Sequence, residues 1–179
     1  MIISLNDLNK WKSNSLKLAI REGYDLSILD FIEKNTNLRL IRRLPPKGIW
    51  YGYCYYDQKS PEIEVYYRNL STESIDTIVI ALRESGMNNN LLEEVIAKIN
   101  GIPPIKLYEI YNQSGMDHEL IGHLYNNLKG LRHDERAAVE TQIEFAKLRA
   151  KGIFGKNWGR IIEIMPIVLG YHKSIDEFK

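Results

Sequence analysis

Apolar residues at Leu5, Leu8, Trp11 and Leu16 recur at helical spacing, and Ser4 with Asp7 three residues on supplies the side chains that cap a helix start. The pattern predicts a helix ending near Gly23 and a short second helix over residues 26–33. Then the periodicity changes. "NLRLIRRL", "GIWYGYCYYD" and "EIEVYYRNL" are rich in aromatic and β-branched residues and are separated by Pro, Gly, Asp and Ser. They predict three strands of a small antiparallel or mixed sheet across residues 37–68. From Ser71 the pattern is helical again. "STESIDTIVIALRESG" has capping residues before it and a glycine stop, and "NNLLEEVIAKING" repeats the form ahead of Pro103 and Pro104. "MDHELIGHLYNN" is closed by Gly130, and "DERAAVETQIEFAKLRAKG" is started by Asp134 and closed by Gly152. A last helix over residues 158–169 is strained or broken at Pro166. With no repeat, low-complexity stretch or linker, the expectation is one α+β domain over 1–179: a small sheet, then a helical half.

At 179 residues the chain is long enough to bury a substantial core, and its composition is ordinary for a globular protein, 44% hydrophobic and 26% charged. The formal net charge of +1 gives no overall drive toward nucleic acid or anionic lipid. The basic group Arg39, Arg42, Arg43 and Lys47 reads as a solvated face, and the tyrosines at 51, 53, 55, 56, 66 and 67 as a half-buried sheet surface. Cys54 is the only cysteine, which excludes an internal disulfide framework and any multi-cysteine metal site and fits a reducing compartment. The first twenty residues lack the apolar core and cleavage site of a signal peptide, and no apolar run reaches the roughly 18–20 residues that span a bilayer. The expectation is a soluble, cytoplasmic protein whose partners are neither nucleic acid nor membrane.

The candidate chemistry lies in "MDHELIGHLYNN", where His118 and His123 are five residues apart and Glu119 directly follows the first. The zinc-hydrolase signature H-E-x-x-H sets its histidines four apart. In a regular helix four residues bring two side chains within about 40° of each other; five leave them about 140° apart, which cannot chelate one ion. A single π-type turn, with i to i+5 bonding, absorbs the extra residue and returns both rings to one face. Gly122 stands where backbone distortion is easiest. The spacing therefore predicts a helix over 116–129 with a wide turn near Ile121 and Gly122, and a metal site built on His118 and His123.

"HELIGH" resembles the H-E-x-x-x-H motif of the dipeptidyl peptidase III family of zinc peptidases. The resemblance implies a zincin-like helical half in which His118 and His123 bind zinc and Glu119 assists the attacking water. It also implies a third ligand, a glutamate on a later helix with a further acidic residue four positions on. "ETQIE" offers Glu140 and Glu144 at that spacing.

A geometric argument reaches the same helix. If the first helix runs to Gly130 and the second returns antiparallel from Asp134, equal rises of about 1.5 Å per residue set Glu140 level with His123 and Glu144 near the level of His118. Glu135 lies too close to the turn, and His133 is in it. Glu140 is therefore taken as the ligand and Glu144 as the carboxylate that orients a histidine, with the reverse assignment nearly as good. The plain alternative is a solvent-facing motif, with Glu140 and Glu144 paired to Lys147 or Arg149. The late "GYHKS" offers Tyr171 and His172 as donors to an oxyanion, although a surface turn suits it better.

Three functions follow. The first is a zinc-dependent metallopeptidase acting on a peptide or protein, with Glu119 as general base and the strand "EIEVYYRNL" as the sheet edge for an extended substrate. The second is an iron-dependent oxygenase: "HELIGH" also resembles the motif of the aromatic amino acid hydroxylases, and "IEFA" would then select Glu144 as the ligand to Fe2+. The third is a non-catalytic binding module on a peptidase-like scaffold.

Overall fold

Ser4 opens helix α1 (Leu5–Arg21) with a reciprocal cap: its hydroxyl accepts from the Asp7 N–H, and the Asp7 carboxylate accepts from the Ser4 N–H at 2.8 Å. The computed structural model describes residues 3–41, 52–56, 59–66, 83, 88–151 and 156–161. The helix expected over 71–86 (residue 83 apart), Arg42, Arg43, Lys47, the tyrosines at 51 and 67, Gly152, Pro166, Tyr171 and His172 lie outside those residues. Helix α2 (Leu26–Asn35) follows, capped by Asp25, whose side chain accepts from the Ser27 and Ile28 amides.

Strands β1 (Asn37–Ile41), β2 (Gly52–Tyr55) and β3 (Glu62–Tyr66) form a mixed sheet of order β1-β3-β2. β1 runs parallel to β3, and β2 runs antiparallel to it. β3 is therefore the central strand, which corrects the expectation that "EIEVYYRNL" forms an edge. Ile63 and Val65 are fully buried, and Glu64 is buried too, held by Arg39 at 3.1 Å and the Tyr55 hydroxyl at 3.2 Å. Among the described strands the edges are β1 and β2.

The helical half holds α3 (Asn89–Ile99) and α4 (Pro104–Asp117), the latter with proline in its first turn, where no amide partner is lost. α4 runs directly into a π-helical segment, His118–Tyr125, and a last short stretch α5 (Asn126–Leu128). Gly130, at φ 81°, turns the chain, and Asp134 caps α6 (Glu135–Ala150) by accepting from the Arg136 and Ala137 amides. A short α7 (Lys156–Ile161) completes the described chain. The molecule is thus mixed α/β, with a small sheet and mostly helix. Among the described residues no helix is long and apolar enough to cross a membrane.

The π segment runs through the middle of the core. Leu120, Ile121 and Leu124 are buried together with Leu8, Ile32, Ile63 and Phe145. Each such side chain contributes about 1.5–3 kcal/mol on burial, enough collectively to hold a helix winding that is rare on its own. The segment is also clamped at its start. Asp117, fully buried, is gripped by both terminal nitrogens of Arg149 from α6 and accepts from Ser15 Oγ of α1 at 2.7 Å.

Candidate metal centre

π-type winding over His118–Tyr125 places His118 and His123 on one side of the helix, their ring centroids 4.6 Å apart and their planes near perpendicular at 87°. All eight residues of the segment are buried. Gly122 has an ordinary negative φ, so it is not there to permit the winding. A Cβ at Gly122 would lie 2.8 Å from both Cα and Cβ of Ala138, so the glycine lets α6 approach the π segment closely.

That contact sets which α6 residues meet the histidines, and it brings a different glutamate to them from the two the sequence offered. Glu135, rather than Glu140 or Glu144, lies against both histidines in a group that could hold a metal ion. Its carboxylate oxygens lie 3.1 Å from His118 Nε2 and 3.2 Å from His123 Nε2, and one ligand atom from each of the three lies within 4.8 Å of the others. Glu140 and Glu144 occupy the outer face of α6, with side chains 54% and 62% exposed, paired to Arg136 and Lys147. The physical reason is register. With Gly122 against Ala138, the level of His118 falls at Gln142, and the inward stripe is Ala138, Gln142 and Phe145. α6 residues nearer the turn therefore reach the site. The signal in the sequence was the phase of "AAVETQIEFA": its buried residues Ala138, Val139, Phe145 and Ala146 share a face with Glu135 and Gln142, and Glu140 opposes them.

Gln142 does what was assigned to an outer carboxylate. Its Oε1 is 3.1 Å from His118 Nδ1, and its Nε2 donates to Ser114 Oγ at 2.6 Å. An Nδ1–H donated to Gln142 leaves the lone pair of Nε2 directed at the Glu135 carboxylate. Two acceptors 3.1 Å apart attract only with a cation between them. Without a metal that cation is a proton. Burial opposes charge on His118, but the Glu135 hydrogen bond and the charges of Glu119 and Glu135 outweigh it and raise the pKa above the usual value. Ligand atoms about 2.0–2.2 Å from one tetrahedral ion stand about 3.3–3.6 Å from one another, close to the two histidine–glutamate distances of 3.1 and 3.2 Å. The donor set of two imidazoles and a carboxylate fits a divalent ion of the zinc or iron kind.

Glu119 is buried beside this group and packs toward β2, where the Cβ position of Gly52 would lie 3.6 Å from its Cγ. Burial raises its pKa, with His118 and His123 pulling the other way. The nearby Cys54 thiol is pushed far up by burial and by the Glu119 charge, so it stays protonated. His133, set aside in the sequence because it lies in the turn, stacks on His123 at 4.6 Å and 17°. Three of the four histidines thus gather at one place. No protein-family model, curated protein or solved structure matches this chain.

Proposed function

We propose that the chain is a zinc-dependent metallopeptidase with a zincin-like catalytic arrangement, in which His118, His123 and Glu135 hold the ion and Glu119 is the general base. The observation that carries this reading is the Glu119 carboxylate: it directly follows a metal-holding histidine, is buried, and lies close enough to feel both imidazoles. A buried carboxylate held beside two metal-holding imidazoles serves no packing purpose, whereas a base beside metal-bound water requires it. Zinc held by three protein groups supplies a Lewis acid and a water of lowered pKa. Glu119 takes the proton from the attacking water and returns it to the departing amine. Burial raises its pKa and so makes the carboxylate a better proton acceptor, while the two imidazoles pull the other way and keep the base form accessible. β2, beside Glu119 and partnered only by β3 among the described strands, offers an edge along which an extended peptide can pair.

The oxygenase reading drew on Glu144, which is exposed and paired with Lys147, so no observation favours it over zinc. The test is a zinc-loaded preparation assayed on a broad peptide library. Wild type should hydrolyse peptide; Glu119→Gln should keep its zinc and lose about 10²- to 10⁴-fold in rate. Glu135→Ala and His123→Ala should lose zinc and activity together. A fully zinc-bound wild type that cleaves nothing would move the assignment to a binding module. One equivalent of iron with oxygen consumption, after purification without added metal, would move it to the oxygenase.

A further inference from the structure

His133 and Tyr56 stand outside the metal-holding set, yet both are arranged against it. The His133 ring lies flat on His123, its Nδ1 is 3.1 Å from the Tyr56 hydroxyl, and its Nε2 is 3.6 Å from Glu135 Oε2. Nε2 faces a carboxylate, so the neutral ring keeps its proton there, and the Tyr56 hydroxyl donates to Nδ1. A nitrogen carrying a proton does not coordinate, and His133 is not among the three residues whose ligand atoms converge within 4.8 Å. What it presents is an N–H donor at the mouth: its side chain is 57% exposed, against 11% and 6% for His118 and His123. A cleft of about 620 Å³ opens there, lined by His123, Arg132, His133 and Glu135 among others. With Glu135 committed to an ion, the His133 N–H would be available to a ligand entering through this cleft.

We propose that His133, oriented by Tyr56, donates a hydrogen bond to an anionic oxygen bound at the open position of the metal, as a carboxylate, hydroxamate or tetrahedral oxyanion would present. The proposal rests on the metal reading above but not on any particular turnover. His133 touches the ligand; Tyr56 is a positioning residue that acts through it. A hydrogen bond to a charged oxygen, lost in a partly enclosed site, corresponds to roughly ten- to a hundredfold in affinity.

The experiment measures two constants on the full chain: zinc affinity by chelator competition, and acetohydroxamate affinity of the zinc-loaded protein by calorimetry. His133→Phe keeps a ring to stack on His123 but has no donor. It should hold zinc as wild type does and bind acetohydroxamate roughly ten- to a hundredfold more weakly. His133→Gln, which retains an N–H donor, should recover most of that loss. Tyr56→Phe should give a smaller loss, because the donor remains while its orientation is freed. Unchanged acetohydroxamate binding in His133→Phe, with zinc bound, overturns this subsite and leaves the metal centre standing. Loss of zinc from His133→Phe as complete as from His123→Ala overturns it by making His133 a ligand. A wild type that takes up no zinc overturns the metal reading and this proposal together.

Discussion

Glu119 is the residue whose burial the fold tolerates rather than uses. Its carboxylate is enclosed, and the enclosure raises its pKa above the ordinary glutamate value. A raised folded-state pKa means that the native protein holds this proton more tightly than the unfolded chain does. The cost of burying the charge is absent below the unfolded value and grows as pH rises through the folded pKa. Glu119→Gln should therefore stabilise the metal-free protein at neutral pH by about 1–2 kcal/mol, as neutralising a strained functional group commonly does. The gap between variant and wild type, followed by urea unfolding, should widen from about pH 4.5 upward. A gap that is constant in pH, or of opposite sign, would show that the charge is compensated. The glutamates of α6 give the complementary contrast. Glu135→Gln should weaken zinc binding strongly in a chelator competition, while Glu140→Gln, which alters only an exposed pair with Arg136, should leave it unchanged. His118, Glu119 and His123 were legible because their spacing is a local property of one helix. Glu135 was not, because its role depends on the packing of two helices.

Gly122 is where that packing is decided. The sequence suggested a glycine placed for backbone freedom; the structure gives it a different purpose, contact with Ala138 at a separation no side chain allows. Helix ends, capped by Ser4, Asp25 and Asp134 or turned at Gly130, were readable because caps and left-handed glycines act within a few residues. The relative height of α6 and the π segment was not, since it follows from one close approach between two helices. Gly122→Ala must push α6 away from the π segment, because the added carbon meets Ala138 of α6, whose backbone carbonyl is also 3.0 Å from it. The expected cost is about 1–3 kcal/mol by overpacking, with a weakened zinc site because Glu135 and Gln142 ride on the same helix. Thermal unfolding with and without zinc measures both effects. A Gly122→Ala variant as stable as wild type would mean the two helices can separate without loss.

At the scale of the whole molecule, the His118, His123 and Glu135 group is where the parts of the fold meet. The π segment supplies two imidazoles and the Glu119 carboxylate, α6 supplies Glu135 and Gln142, β2 borders Glu119, and α1 holds Asp117 beside His118 through Ser15. The three strands were readable from composition, but their order was not: β3 lies between β1 and β2 by long-range pairing that alternation does not encode. An ion bound to that junction binds the native state and not the unfolded one, so it must stabilise the whole. With free zinc at a hundred times the dissociation constant the gain is about 2.7 kcal/mol. For a chain of this size that corresponds to a rise of roughly 5–11 °C in melting temperature. Chelator should reverse the rise. His118→Ala, His123→Ala and Glu135→Ala should abolish it, because each removes one of the three converging ligands. Glu140→Ala and Glu144→Ala should keep it, because both lie on the outer face of α6. A shift that survives Glu135→Ala but vanishes in Glu140→Ala would mean that the two helices meet in the other register, with the ligand one turn further along α6.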